Sequence, residues 1–352
     1  MSSAESSPMR GKTGQKDQMQ PPTNERETDV RAAVAKYEPD ASVAPLIQLR
    51  GVAKSFKGHL GIGTTVAVEN LDLEVLPGEI LGLLGPNGAG KTTTLKMLID
   101  LLRPDRGEIR LFGRPPSDPA VRARLGYLPE NPYFYDYLTA EEFLDFYARL
   151  QGIPATRRRD KVRETLCRVG LEGREGTALR KFSKGMIQRL GLAQAIQHDP
   201  DLLILDEPMS GLDPIGRREV RDLILSLKAA GRTVLFSSHI LQDAEMLCDR
   251  IAIMNKGRLR SLGRLDEMVS AGVEWFEVTV RGEFGRIAGV TLLSGDGERS
   301  LLRVSDIDVL AELMASVREA GGHVSSVWPK RKTLEDLFIK EIRNDTPEQG
   351  RA

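Results

Sequence analysis

Gly85-Pro86-Asn87-Gly88-Ala89-Gly90-Lys91-Thr92-Thr93-Thr94 (GPNGAGKTTT) decides the reading of this 352-residue chain, because it completes a GxxxxGKT loop between an apolar strand and an apolar helix. The run before it, Glu79–Leu84 (EILGLL), reads as a strand, and the pattern after it predicts a helix from about Lys91 to Leu102. Strand, glycine loop and helix in that order form the setting in which such a loop cradles phosphate. Glycines let the backbone curl until successive amides and the helix N-terminus converge on an anion. Lys91 adds a mobile positive charge for the outer phosphates, and Thr92 a hydroxyl for Mg²⁺. Residues Gly85 to Thr93 are therefore expected to bind a nucleoside triphosphate.

Further along, Leu202–Leu205 (LLIL) is a short apolar run ending in Asp206 and Glu207. It predicts a buried parallel strand that delivers two carboxylates at its C-terminal end, where doubly wound sheets place their ligands. A similar run, Thr233–Phe236, ends in Ser237, Ser238 and His239, and a third spans Arg250–Met254. Strands alternating with helical patterns from 79 to 254 predict an α/β core. Ahead of it, LIQLRGV and TVAVENLDLEV read as strands joined by the glycine-rich turn KGHLGIG. After residue 270 a pattern of strands and two helices predicts a second, small α+β domain.

Composition narrows the function classes. Fifty Lys and Arg balance fifty Asp and Glu, so no net field holds the whole molecule on nucleic acid. The run Arg157, Arg158, Arg159 reads as a solvated helix face. Cys167 and Cys248 both fall in helix-like segments, which fits reduced thiols better than a disulfide framework, and neither joins a histidine cluster. No run of apolar residues is long enough to span a bilayer and the first residues lack an apolar leader segment, so neither a membrane crossing nor the secretory route is expected. Residues 1–44 and 343–352 are expected to be disordered tails, since they hold too little apolar surface to offset the cost of ordering them.

With Phe182–Met186 (FSKGM) followed by a helical pattern and then by LLILDEPMSGLDP, the chain resembles the nucleotide-binding subunit of an ABC transporter over residues 46 to 265. The elements stand in the family's order: phosphate loop, GYLPE at 126–130, signature at 182–186, Asp206-Glu207, SGLD at 210–213, and His239. The resemblance implies a P-loop NTPase core with an antiparallel β subdomain and a helical subdomain at about 127–200, together forming an ATP-binding domain at 45–268, with the small α+β domain at 269–342. It also implies a role for each residue. Asp206, Thr92 and Glu130 would serve Mg²⁺, Glu207 would orient and deprotonate the attacking water, and His239 would contact the γ-phosphate beside Lys91. Paired acids at a strand end also occur as helix caps, and a histidine at a strand end also occurs as a plain surface residue.

Ser183 and Gly185 open a helix and would form a second anion site. In the family that site closes over ATP held by the other subunit, so a homodimer sandwiching two ATP molecules is implied, with Asp213 coupling the halves. Phe56, in VAKSF, would stack on adenine, or merely pack under the strands. Two departures stand out: Lys184 and Met186 replace the Gly and Gln of the common LSGGQ signature, and Glu130 stands where many relatives have Gln.

Five of the six tyrosines and three of the ten phenylalanines lie between Tyr127 and Tyr147. Transporter ATPases dock their permease at this position, so these aromatics serve either that interface or the subdomain's own core. GYLPE, the lysine-bearing signature and the tail TLEDLFIK are similar to the branch that exports drugs, lipids or polysaccharides, working at the cytoplasmic face of the plasma membrane. A soluble ABC ATPase acting on the ribosome is the alternative. Such proteins usually carry two ATP-binding halves, and one phosphate loop occurs here.

Overall fold

In the computed structural model, which describes residues 44–57, 63–269, 273–331 and 333–343, one six-stranded sheet carries the phosphate loop. Its strands are β3 (Ile80–Leu84), β5 (Leu125–Leu128), β6 (Leu202–Asp206), β7 (Thr233–Ser238), β8 (Arg250–Asn255) and β9 (Arg258–Arg264), in the spatial order β5-β6-β7-β3-β8-β9. All run parallel except β9, which returns antiparallel along β8. Strands β3, β6, β7 and β8 are buried throughout, which is why they read as near-continuous apolar runs. The expected tails, apart from residues 44 and 343, lie outside the described residues, as do residues 58–62 of the glycine-rich turn.

A separate antiparallel sheet joins β1 (Ile47–Lys57), β2 (Thr64–Val75) and β4 (Arg106–Leu111), with β1 central. Helix α1 (Lys91–Leu98) buries Leu95, Met97 and Leu98 in one cluster with Leu49, Val68 and Leu71 of this sheet and Leu81, Leu83 and Ile204 of the larger one. The helix is four residues shorter than the sequence pattern suggests. Asp100 takes a left-handed φ of 60°, its amide donates to Met97 O at 3.3 Å, and the Leu101 amide donates to Lys96 O at 2.9 Å. That pair of bonds is a Schellman stop, made with Asp in the place glycine usually takes.

After the one-turn α2 (Pro119–Arg122), the helices α3 (Ala140–Leu150), α4 (Ala155–Arg168) and α5 (Lys184–Ile196) form the helical region. A reciprocal Thr139–Glu142 capping box starts α3. Phe143, Leu144, Val162, Leu166, Leu190 and Ala193 share one core with α6 (Pro214–Ala229) and with Leu203 and Phe236 of the large sheet.

Helix α7 (Leu241–Leu247) follows β7, and the one-turn α8 (Leu265–Met268) follows β9. Strands β10 (Val273–Arg281), β11 (Val290–Gly295), β12 (Arg299–Val304) and β13 (His323–Arg331) form an antiparallel sheet in the order β11-β12-β10-β13. Helix α9 (Ile307–Glu319) lays Leu310, Leu313 and Val317 on one face of it, against Phe276, Val278, Val280 and Leu302. The last helix among the described residues, α10 (Leu334–Arg343), leaves this sheet and buries Leu334 and Leu337 with Leu84, Ile251 and Ile253 of the six-stranded sheet and Ala244 of α7.

Candidate active site

The phosphate loop bridges the end of β3 and the start of α1, and close packing requires two of its glycines, Gly85 and Gly90. A side chain at Gly85 would run into the Met254 carbonyl and the Ala89 methyl, and one at Gly90 into the Ala67 carbonyl. Gly88 and Gly90 both adopt positive φ, 80° and 103°. Gly90 at the N-cap offers no side-chain acceptor to α1, and no acidic residue stands in the helix's first turn, so its leading amides remain available to an anion. Lys91 is 6% exposed, and its ammonium donates to Gly85 O at 2.6 Å and Pro86 O at 3.4 Å.

Across from the loop, β6 delivers Asp206 and Glu207, 1% and 7% exposed. Asp206 Oδ1 accepts from Thr92 Oγ1 at 3.3 Å and from Ser237 Oγ at 2.6 Å. Glu207 turns the chain with a left-handed φ of 48°, unusual for a side chain with a Cβ. Its amide donates to Ser237 Oγ at 2.9 Å, and its two carboxylate oxygens face Lys91 Nζ at 3.5 Å and His239 Nδ1 at 2.9 Å. The structure therefore brings Lys91, Thr92, Asp206, Glu207 and His239 to one place. The acids do not act as helix caps: α6 is capped by Asp213 instead, which accepts from the Gly216 amide at 3.0 Å.

Burial shapes the surroundings. Tyr127 is pushed up to about 12, first by burial and then by the Asp206 charge, so its hydroxyl stays protonated beside that carboxylate. Burial also raises Asp243, with Glu207 adding to the rise and Arg217, Arg221 and His239 opposing it. Asp243 therefore belongs to the electrostatic field of the site, although nothing in the sequence had singled it out.

Ser183, Gly185 and Asp213 gather elsewhere, in a cleft of about 420 Å³ that Lys184, Gly211 and Glu219 also line. Ser183 caps α5, its Oγ accepting from the Met186 amide at 3.2 Å. Lys184 lies across Gly211, where a Cβ would come within 2.6 Å of its ammonium. No bond among the described residues joins Phe56 or Glu130 to either cluster. Phe56 is 40% exposed at the end of β1 with Lys54 Nζ 5.8 Å from its ring, and Glu130 is exposed beyond the end of β5.

Sequence reasoning missed Ser237 and Gln188. Ser237 sits opposite Asp206 in the β6–β7 register, and the run ending in Ser237-Ser238-His239 was the signal that could have found it. Gln188, 3% exposed on α5, donates to Pro208 O at 3.2 Å and so ties the signature helix to the turn after Glu207. The aromatics divide into two groups: Phe134, Phe143 and Tyr147 stack at the helical core, whereas Tyr133, Tyr135 and Tyr137 are 94%, 64% and 67% exposed.

A glycine-built anion cradle facing paired carboxylates at the end of a parallel sheet defines a P-loop nucleoside triphosphatase. The family model described as "ABC transporter" matches residues 68–210. An uncharacterized ABC transporter ATP-binding protein of Nostoc sp. is 44% identical over 79% of this chain and 84% of its own length. A daunorubicin resistance ATP-binding protein of Streptomyces coeruleorubidus is 37% identical over 80% of this chain and 93% of the relative, and a Nod factor export ATP-binding protein of Cupriavidus metallidurans 38% over 84% and 96%. Among solved structures, the ATP binding subunit of an ABC transporter superposes with TM-score 0.57 at 33% identity, over 63% of this chain and 91% of that one. The dimeric structure of a bacterial ABC transporter cassette superposes with TM-score 0.58 at 25% identity, over 62% and 98%. The chain belongs to the ATP-binding subunits of ABC transporters, and its activity is that of an ATPase.

Proposed function

We propose that this chain powers an ABC exporter as a homodimer that closes over two ATP molecules and reopens on hydrolysis, at the cytoplasmic face of the plasma membrane. The observation that carries the reading is the setting of Glu207, held between Lys91 and His239 at the rim of the phosphate loop. The names of the drug-resistance and Nod factor export relatives support export. The dimeric cassette supports pairing.

In this reading the loop amides of Gly85 to Thr93 and Lys91 hold the phosphates, and Phe56 stacks on the adenine. Asp206 and Thr92 place two oxygen donors 3.3 Å apart, hard ligands suited to Mg²⁺, with Glu130 available to its water shell. When bound, the ion draws charge off the phosphate oxygens. Glu207 takes the proton of the attacking water on a carboxylate oxygen, and His239 holds that carboxylate in place and reaches toward the γ-phosphate. Ser183 and Gly185 of one subunit close on the ATP of the other, with Asp213 linking the two halves.

The exposed Tyr133, Tyr135 and Tyr137 form the docking point for a separate membrane permease. Among the described residues no helix is long and apolar enough to cross a membrane, so the permease supplies the path. Residues 45–268 act as the ATP-binding unit. The accessory unit that follows, placed at 269–342, extends or regulates the dimer contact.

Glu207→Gln tests the whole reading. The variant should keep ATP binding, lose turnover, accumulate as an ATP-bound dimer and bring a polytopic membrane protein with it from detergent-solubilised membranes. Co-purification with ribosomes, or with nothing, would replace the exporter reading with that of a soluble ABC ATPase.

A further inference from the structure

Helix α10 has one apolar face: Leu334, Leu337 and Phe338 stand at i, i+3 and i+4. Its start is fixed by Thr333 and Asp336, whose side chains and amides bond reciprocally at 2.7–3.1 Å. That face is buried with Leu84 of β3, Ile251 and Ile253 of β8, and Leu241 and Ala244 of α7. Near the helix's end, Asn255 donates to the Ile342 carbonyl at 3.5 Å, which joins α10 to the end of β8.

The elements that carry these partners border the reaction site. Leu84 immediately precedes Gly85, and the Met254 carbonyl of β8 backs that glycine. Helix α7 begins two residues after His239, and Ile240 between them is clamped by Ser238, whose Oγ accepts from the Ile240 amide at 2.9 Å and donates to its carbonyl at 3.2 Å. His239 is therefore joined to the first turn of α7 through a clamped residue, and its ring lies 2.9 Å from Glu207. Helix α7 has only seven residues, buries only Ala244 and Leu247 fully, and is too short to hold its own position without tertiary support.

We propose that α10 is the buttress that sets α7, and through it His239, against Glu207, which makes Leu337 and Phe338 positioning residues for ATP hydrolysis. The inference rests on the assignment of Glu207 and His239 to hydrolysis. It gives the accessory sheet a mechanical line to the site, because β13 runs into α10 with only residues 332 and 333 between them.

The test uses the full chain with Leu337→Ala, Phe338→Ala and the conservative Leu337→Met, each alone and combined with His239→Ala. Steady-state ATPase kinetics, equilibrium binding of a fluorescent ATP analogue and thermal melts are the readouts. With His239 present, Leu337→Ala should lower kcat about tenfold while KM and nucleotide affinity stay within about twofold, and Leu337→Met should restore most of the rate. In the His239→Ala background the same change should leave the residual rate unaltered, because both act through one group. Phe338→Ala, at a ring only partly buried, carries the same comparison should Leu337→Ala not fold. An unchanged kcat, or equal fractional losses in both backgrounds, overturns the buttress. Wild-type turnover by His239→Ala and Glu207→Gln instead overturns the site assignment, and the buttress with it.

Discussion

Ser237 donates its hydroxyl to Asp206 at 2.6 Å, across the paired ends of β7 and β6. The same oxygen accepts the Glu207 amide at 2.9 Å, so one buried side chain fixes the carboxylate and also closes the left-handed turn that presents Glu207.

Ser237→Ala is therefore expected to leave a buried amide without its acceptor, at a cost of about 1–3 kcal/mol, and to loosen Glu207. Urea unfolding should show the loss of stability, and ATPase assays on the folded fraction a lowered kcat. Ser237→Thr keeps the hydroxyl and should retain more of both. A wild-type kcat in folded Ser237→Ala would show that Glu207 needs no such support.

The glycines of the phosphate loop make separable predictions. At Gly88 a Cβ meets nothing within 4 Å, so Gly88→Ala costs mainly the positive φ, about 1 kcal/mol. At Gly90 a Cβ meets the Ala67 carbonyl as well as a φ of 103°, so Gly90→Ala should lower stability by more, about 3 kcal/mol. Thermal melts of the two variants side by side check the difference, and equal shifts would mean that the β2 backbone gives way.

The sequence made legible what is local. The phosphate loop, the acids ending β6 and the signature opening α5 each announce themselves within ten residues, because their chemistry depends on neighbouring amides and a fixed spacing. What bridges distant segments stayed hidden. Glu79 and Arg250 form a buried pair at 2.9 Å, yet as a sequence they are two charges in apolar surroundings. Leu334, Leu337 and Phe338 announce a buried face but not its partner, and α10 could as well have covered the small sheet. Asp100 ended α1 early because its left-handed turn is a choice Asp permits but does not demand.

Tyr133 and Tyr135 are exposed and lie outside the buried core, so charge there should leave folding nearly untouched, within about 0.5 kcal/mol. Docking of an apolar interface core would suffer far more. The pair Tyr133→Glu and Tyr135→Glu should melt with the wild type, hydrolyse ATP in detergent-free solution at the wild-type rate, and fail to sediment with membranes that hold the permease. Unchanged membrane association would move the docking point elsewhere.

Asp105 supplies the pH-dependent prediction. It accepts from Lys54 at 2.8 Å and from the Ser55 amide and hydroxyl at 2.7 and 2.9 Å, which ties the end of β1, where Phe56 follows, to the loop before β4. These bonds lower the carboxyl from 3.8 to about 2, the Lys54 bond most of all. A folded-state value below the unfolded one gives stability that is fully present above the unfolded value and lost as pH falls through the folded one. The stability difference between wild type and Asp105→Asn should therefore be constant from neutral pH down to the unfolded value of 3.8 and then shrink toward a pH of about 2. The group is exposed, so added salt should reduce the difference at neutral pH. Melts of both proteins across that range test the sign, and an NMR titration of the Asp105 carboxyl tests the cause. A midpoint near 3.8 would show that Lys54 and Ser55 do not hold the carboxylate in solution.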